Sequence, residues 1–149
     1  EKRQTPVIII DEANYIGNAV LNDLKMLFNF EMDSKDRAVV LLSGLPQLNS
    51  TLRLSIHEPF RQRIVMNYNL EGMTKAEGHS YVAAKLNGAG CTQTVFEDNA
   101  LEAILNAANG IPRMINKLCN ASLLVGNSSN LNIITADAVM QAINDCELG

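Results

Sequence analysis

Two acidic residues, Asp11 and Glu12, directly follow the β-branched run Val7-Ile8-Ile9-Ile10. Parallel strands in open α/β sheets present their carboxyl ends to a crevice where ligands bind. Acids placed there are costly unless something positive or polar uses them. In phosphoryl transfer, an Asp in this place helps to hold magnesium, and a neighbouring acid orients and activates the attacking water. The plainer alternative is that the pair begins a solvated loop or caps the helix that follows. Ser43 ends a second apolar run, so its hydroxyl can lie beside Glu12 and bond a γ-phosphate oxygen or the attacking water. An isolated serine in a turn more often satisfies its own backbone. Arg61 and Arg63 flank Gln62, and Arg113 follows Gly110-Ile111-Pro112. A guanidinium suits phosphate because its planar fork donates two hydrogen bonds and stays charged. Arg113 falls in the first turn of a helix, where the macrodipole mildly disfavours cations; with the exposed N–H groups it would make a phosphate-sensing corner. By spacing alone, each of these arginines also reads as a surface residue.

The elements that must position these groups are legible from periodicity. Val7–Ile10 suits a strand buried on both faces of a parallel sheet, as does Ala38–Leu42 before Ser43-Gly44. Between them Val20, Leu21, Leu24, Leu27 and Phe28 recur at helical spacing, with Asn18 as N-cap. This predicts a parallel strand–helix–strand crossover. Ile64-Val65-Met66 is a third, shorter strand candidate.

After Leu70 the pattern becomes helical. Thr74-Lys75-Ala76-Glu77 reads as a capping box opening a helix through Tyr81, Val82 and Leu86 to a Gly88-Ala89-Gly90 stop. Gly78 inside it should cost up to about 1 kcal/mol relative to alanine. Asp98 is expected to cap a second helix with Leu101, Ile104, Leu105 and Ala108 on one stripe, ending at Gly110. Pro112 suits the first turn of a third, with Met114, Ile115, Leu118 and Cys119 inward. Gly126 to Asn130 reads as a polar loop, and Thr135 as the cap of a fourth helix carrying Val139, Met140 and Ile143. The fold class expected is α/β: a partial parallel-sheet core followed by an all-α subdomain.

A chain of 149 residues fits one ordinary domain or a cut through a larger one. Its net charge of −4 gives no general reason to expect nucleic acid or an anionic membrane as partner. Cys91, Cys119 and Cys146 form no C-x-x-C pair, so they are expected to be small buried apolar residues of a reduced, cytoplasmic protein. His57 and His79 lack metal-ligand spacing and read as surface or helix-face residues. No apolar run approaches the roughly 18 to 20 residues that span a bilayer. Glu1 to Pro6 lead into a strand with no signal-peptide core, as though the chain began mid-protein or just before a core strand.

Taken in order, the segments VIIIDEA (Val7–Ala13), LSGLPQL (Leu42–Leu48), FRQRI (Phe60–Ile64) and NGIPRMINKLC (Asn109–Cys119) closely resemble the AAA+ ATPases of the ExeA-like group. That group includes the ATPase of a secretion pathway and many ATPases encoded beside transposases. The resemblance implies a P-loop NTPase of the AAA+ type: residues 1–70 as the C-terminal part of the nucleotide-binding core and 71–149 as the helical lid. It further implies a Walker B pair, with Asp11 supporting Mg2+ and Glu12 polarising the hydrolytic water. Ser43 falls on the first sensor, Arg63 on the arginine finger with Arg61 as its near rival, and Arg113 on the second sensor in the lid.

One departure from the family is large. No Gly-x-x-x-x-Gly-Lys-Ser/Thr stretch occurs in these 149 residues, so the main phosphate cradle for ATP is lacking. These residues alone are therefore expected to hydrolyse no ATP, the loop lying upstream. The first reading is a C-terminal fragment of a DNA-transposition accessory ATPase. Its expected partners are its own subunits (ring, filament or dimer), a transposase and duplex DNA. The alternatives are a secretion-pathway ExeA-type ATPase and a non-catalytic assembly module.

Overall fold

The computed structural model describes residues 5–26 and 38–147. The chain divides into two compact units, Glu1–Tyr68 and Asn69–Gly149.

In the first unit, β1 (Val7–Ile10) and β2 (Val39–Leu42) pair in parallel, Val7 against Val39 through Ile10 against Leu42. A short 3-10 turn (Ala13–Tyr15) and helix α1 (Asn18–Met26) follow β1. After β2 come α2 (Gln47–Leu52), a second 3-10 turn (Ser55–His57) and α3 (Glu58–Arg61), which carries Pro59 in its first turn. The helices bury Ala13, Leu21, Leu48, Leu52 and Phe60 together, with Ile10, Ile16, Leu24 and Leu42 packed against them. That cluster joins the strand ends to the helices and so fixes where Asp11 and Ser43 emerge.

Three expectations for this unit need correction. The strands are not buried on both faces: Val7, Ile9, Val39 and Leu41 share one outward face and are each more than half exposed. Of the alternate residues, Ile10 and Leu42 pack against the helical cluster, while Ile8 is still 38% exposed; β1 and β2 are the only strands the described residues form, and helices cover one side. Ile64–Met66 is not a strand; it has no ladder partner among the described residues, and Val65 is 99% exposed. Asn18 is the first residue of α1, and its side-chain oxygen is engaged by His57. Leu27 and Phe28 lie outside the described residues.

The second unit is all helix: α4 (Lys75–Gly88), α5 (Asp98–Ala108), α6 (Pro112–Ser128) and α7 (Ala136–Glu147). Its core comprises Val82, Ala100, Ile104, Leu105, Ile115, Leu118 and Val139, with further partners from all four helices. A parallel bridge between Phe96 and Ile134 ties the segments that precede α5 and α7. The capping box is present: Thr74 Oγ1 accepts from the Glu77 N–H while the Glu77 carboxylate accepts from the Thr74 N–H at 2.8 Å. Thr74→Ala should therefore cost about 0.5–2 kcal/mol, seen as a lowered midpoint in thermal unfolding followed by helical circular dichroism.

Gly78 has a packing reason to be glycine, since a Cβ there would meet Leu105 Cδ2 at 2.6 Å. Gly126 has another. The first three residues of the expected loop, Gly126–Ser128, instead continue α6, with only Ser129 and Asn130 in a turn, and Gly126 lies buried with Ile134 Cδ1 where its Cβ would stand. Tertiary packing overrides the turn-like composition there. Asp98 is the first helical residue, and the cap position falls to Glu97, whose side chain makes no capping bond. Thr135 does cap α7, its hydroxyl accepting from the Ala138 N–H at 3.4 Å. Of the apolar residues named for that helix, Val139 is buried and Met140 is 53% exposed. The three cysteines are free and half-buried, and burial pushes the Cys119 thiol up to about 11. No helix of the described residues is long and apolar enough to cross a membrane.

Candidate functional site

Asp11 and Ser43 stand at the carboxyl ends of adjacent parallel strands, one residue beyond the Ile10–Leu42 pair. Parallel register therefore brings them together: the Ser43 hydroxyl donates to Asp11 Oδ1 at 2.6 Å. The same oxygen accepts from the Glu12 N–H at 2.9 Å. Two backbone bonds extend the ladder around the pair, Ser43 N–H to Ile10 O and Ala13 N–H to Ser43 O. Ser43 thus stands at the acid pair, with its hydroxyl bonded to Asp11.

The Ser43 hydroxyl, and then the Glu12 amide, hold the Asp11 carboxyl below the usual aspartate range. Because the folded-state pKa is lowered, this favours the fold at pH above the usual aspartate range. The contribution is lost as pH falls through the lowered pKa. Ser43→Ala should move the Asp11 titration upward, toward the unperturbed value, in a carboxyl-detected NMR titration.

Glu12 is exposed and sits in the left-handed region, with φ 51° and ψ 35°. The other non-glycine residues with positive φ among those described are Asn109 and Asn130, a residue type that tolerates this conformation. For Glu12 it is strain, of the order of 1–3 kcal/mol, sustained by the bonds on either side. The effect is to turn the Glu12 side chain out of the strand path just where the sheet ends. Asn14 completes the turn: its Oδ1 accepts from the Leu45 N–H at 2.9 Å, tying the loop after β1 to the loop after β2. Gly44 leaves room for it, since a Cβ would stand 2.7 Å from that oxygen. Sequence reading missed Asn14; its place three residues after Asp11, in the turn opposite Gly44, is the only signal it gives.

The arginines are arranged differently. Arg61 donates from Nη1 to Arg53 O, and Arg63 from Nη1 to Pro59 O, both at 3.2 Å, so backbone carbonyls orient both guanidinium groups. Arg63 also borders an apolar cleft of about 480 Å³ lined by β2, Leu48, Leu52 and Phe60; none of Asp11, Glu12 or Ser43 lines it. Arg113 is exposed in the first turn of α6, in the second unit. The N-cap, Ile111, offers no side-chain acceptor to the first-turn N–H groups there. The structure thus brings Asp11, Glu12 and Ser43 together within one turn. Arg61 ends α3 and Arg63 lies just after it, both bonded to backbone carbonyls of their own segment. The described residues contain no cluster of three or more His, Cys, Asp or Glu able to hold a metal ion.

The chain thus pairs a small parallel-sheet α/β unit, with Asp11 and Glu12 after its first strand, with an all-helical unit. Residues 1–52 match the family described as AAA domain. The chain is 36% identical over 118 residues to general secretion pathway protein A of Aeromonas hydrophila, covering 79% of this chain and 22% of that protein. It is 25% identical over 143 residues to an uncharacterized HTH-type transcriptional regulator of Methanocaldococcus jannaschii, covering 93% of this chain and 34% of that one. Among solved structures, two variants of Thermotoga maritima RuvB superpose with TM-scores of 0.65 and 0.64 at 20% and 21% identity. They cover 98% and 95% of this chain but 48% and 45% of theirs. The AAA domain match thus covers the first 52 residues, the superposed structures share the fold, and the chain spans less than half the length of each of these relatives.

Proposed function

We propose that this chain is part of an ATP-hydrolysing AAA+ module of the secretion-pathway type, acting as a nucleotide-controlled switch. The observation that carries the reading is the Asp11–Ser43 bond beside a strained Glu12 at the ends of parallel strands. Asp11 holds one carboxylate oxygen fixed. As an exposed hard-oxygen donor it suits Mg2+, which takes one or two carboxylates with substrate phosphates and water. Glu12 polarises the attacking water, and Ser43 senses the γ-phosphate through its tie to Asp11. Arg63, with Arg61 as its rival, stabilises transition-state charge on a neighbouring subunit's nucleotide, which requires self-assembly. Arg113 reports the γ-phosphate to the helical lid, residues 71–149.

The similarity over 118 residues to a secretion-pathway protein favours this reading over a transposition role. None of the relatives reported above carries a name that mentions a transposase. Turnover of ATP by the full-length protein, with and without duplex DNA, tests the choice. Turnover indifferent to DNA is expected. Stimulation by DNA would return the weight to a transposition ATPase, and no turnover would leave an assembly module. The 149 residues by themselves, which lack the phosphate-binding loop, should hydrolyse nothing under the same conditions.

A further inference from the structure

His57 is fully buried, in contrast to the surface or helix-face position its spacing suggested. Its Nε2 lies 2.8 Å from Asn18 Oδ1, and its Nδ1 is buried with no hydrogen-bond partner among the described residues. A buried polar ring with one unsatisfied nitrogen costs stability that an apolar side chain of similar volume would not. Its position offers a reason for that cost. Asn18 opens α1, six residues after Glu12, and the intervening Ala13 is buried in the core cluster. His57 ends the turn that leads into α3, the helix that contributes Phe60 to the same cluster and carries Arg61, with Arg63 just beyond.

Two kinds of contact therefore join the acidic turn to the arginine segment. The apolar one, Ala13 and Phe60 in a shared cluster, is non-directional and tolerates sliding. The hydrogen bond is directional in distance and angle, and fixes the attitude of one element on the other.

We propose that His57, held through Asn18, is a positioning residue that sets the arginine-bearing α3 against the acidic turn and α1. The inference rests on the ATPase reading above. An arginine that acts on a neighbouring subunit's nucleotide must project from its own subunit at a fixed angle. Loosening that angle slows the chemical step while leaving the subunit's own nucleotide binding intact.

The test uses the full-length protein, with ATP turnover, the KM for ATP and the thermal midpoint measured on four forms. His57→Met keeps most of the volume and removes the bond. His57→Gln places an amide N–H near the position of Nε2 and can restore the bond to Asn18. Asn18→Ala removes the bond from the other side. Misplacement of a catalytic group by about an ångström can cost up to about a hundredfold. His57→Met and Asn18→Ala are therefore expected to lower kcat by roughly tenfold or more with KM little changed, and His57→Gln to recover most of the loss.

Turnover of His57→Met equal to wild type would overturn the proposal, as would a kcat loss in a folded His57→Met that His57→Gln does not repair. If His57→Met fails to fold, Asn18→Ala decides: reduced kcat at unchanged KM supports the link, and unchanged kcat rejects it. Wild-type protein without turnover would instead sink the ATPase reading, and this inference with it.

Discussion

Glu12→Gln in the full-length protein is expected to reduce ATP turnover by about 10²–10⁴-fold, the usual contribution of a positioned general base. That corresponds to roughly 3–5 kcal/mol of barrier. The substitution is close to isosteric and carries the same left-handed backbone cost, so the turn between β1 and α1 should keep its shape. Only the carboxylate's capacity to draw a proton from water is lost. Nucleotide affinity should persist, because Asp11, the proposed magnesium ligand, is untouched. Single-turnover hydrolysis beside a fluorescent-nucleotide titration separates the two effects. Undiminished turnover would remove Glu12 from the chemistry. Loss of binding together with turnover would show instead that the turn had collapsed.

Gly110→Ala should be the most damaging single-methyl change in the helical unit. Gly110 is buried with φ +71°, and a Cβ there would stand 2.3 Å from the Met73 carbonyl oxygen and 2.6 Å from its nitrogen. Those atoms are backbone, fixed by the Met73 N–H bond to Gly110 O at 2.8 Å, and cannot swing aside as a side chain can. Left-handed strain and overpacking against backbone together should cost roughly 2–5 kcal/mol. That is a large fraction of the 5–15 kcal/mol that holds a typical domain together, about enough to unfold a marginal one. Chemical denaturation of the 149-residue chain followed by helical circular dichroism measures it. Gly88→Ala is the control: it meets nothing within 4 Å and should be neutral or slightly stabilising. An unchanged midpoint for Gly110→Ala would mean the turn relaxes away from Met73. This turn also sets the start of α6 and hence the place of Arg113, the proposed phosphate sensor.

Much of this protein is written locally. A run of four β-branched residues can hardly be anything but a strand. Thr74 with Glu77 satisfies two orphan N–H groups reciprocally, so the start of α4 is specified by four consecutive residues. Pro112 after Gly110 marks one helix ending and another beginning, and Thr135 marks the start of α7. Local order was enough to propose the acid pair, because Asp11 and Glu12 are defined by the strand they end.

What the tertiary structure decided is everything that depends on a partner distant in the chain. Ser43 lies 32 residues from Asp11, and only the parallel register shows that the two are bonded. His57 is 39 residues from Asn18, and a lone histidine carries no sequence sign of the helix that will enclose it. Gly126 looked like a loop because glycine and asparagine favour turns in isolation. Ile134, folded against it, rewards a bare backbone enough to keep the helix running. Ile64–Met66 looked like a strand because its composition suits one, yet a strand exists only where another chain segment completes its ladder. Local propensities and caps act over a few residues and can be read in order, whereas register, burial and hydrogen-bond partnership are properties of pairs that only the folded chain brings together.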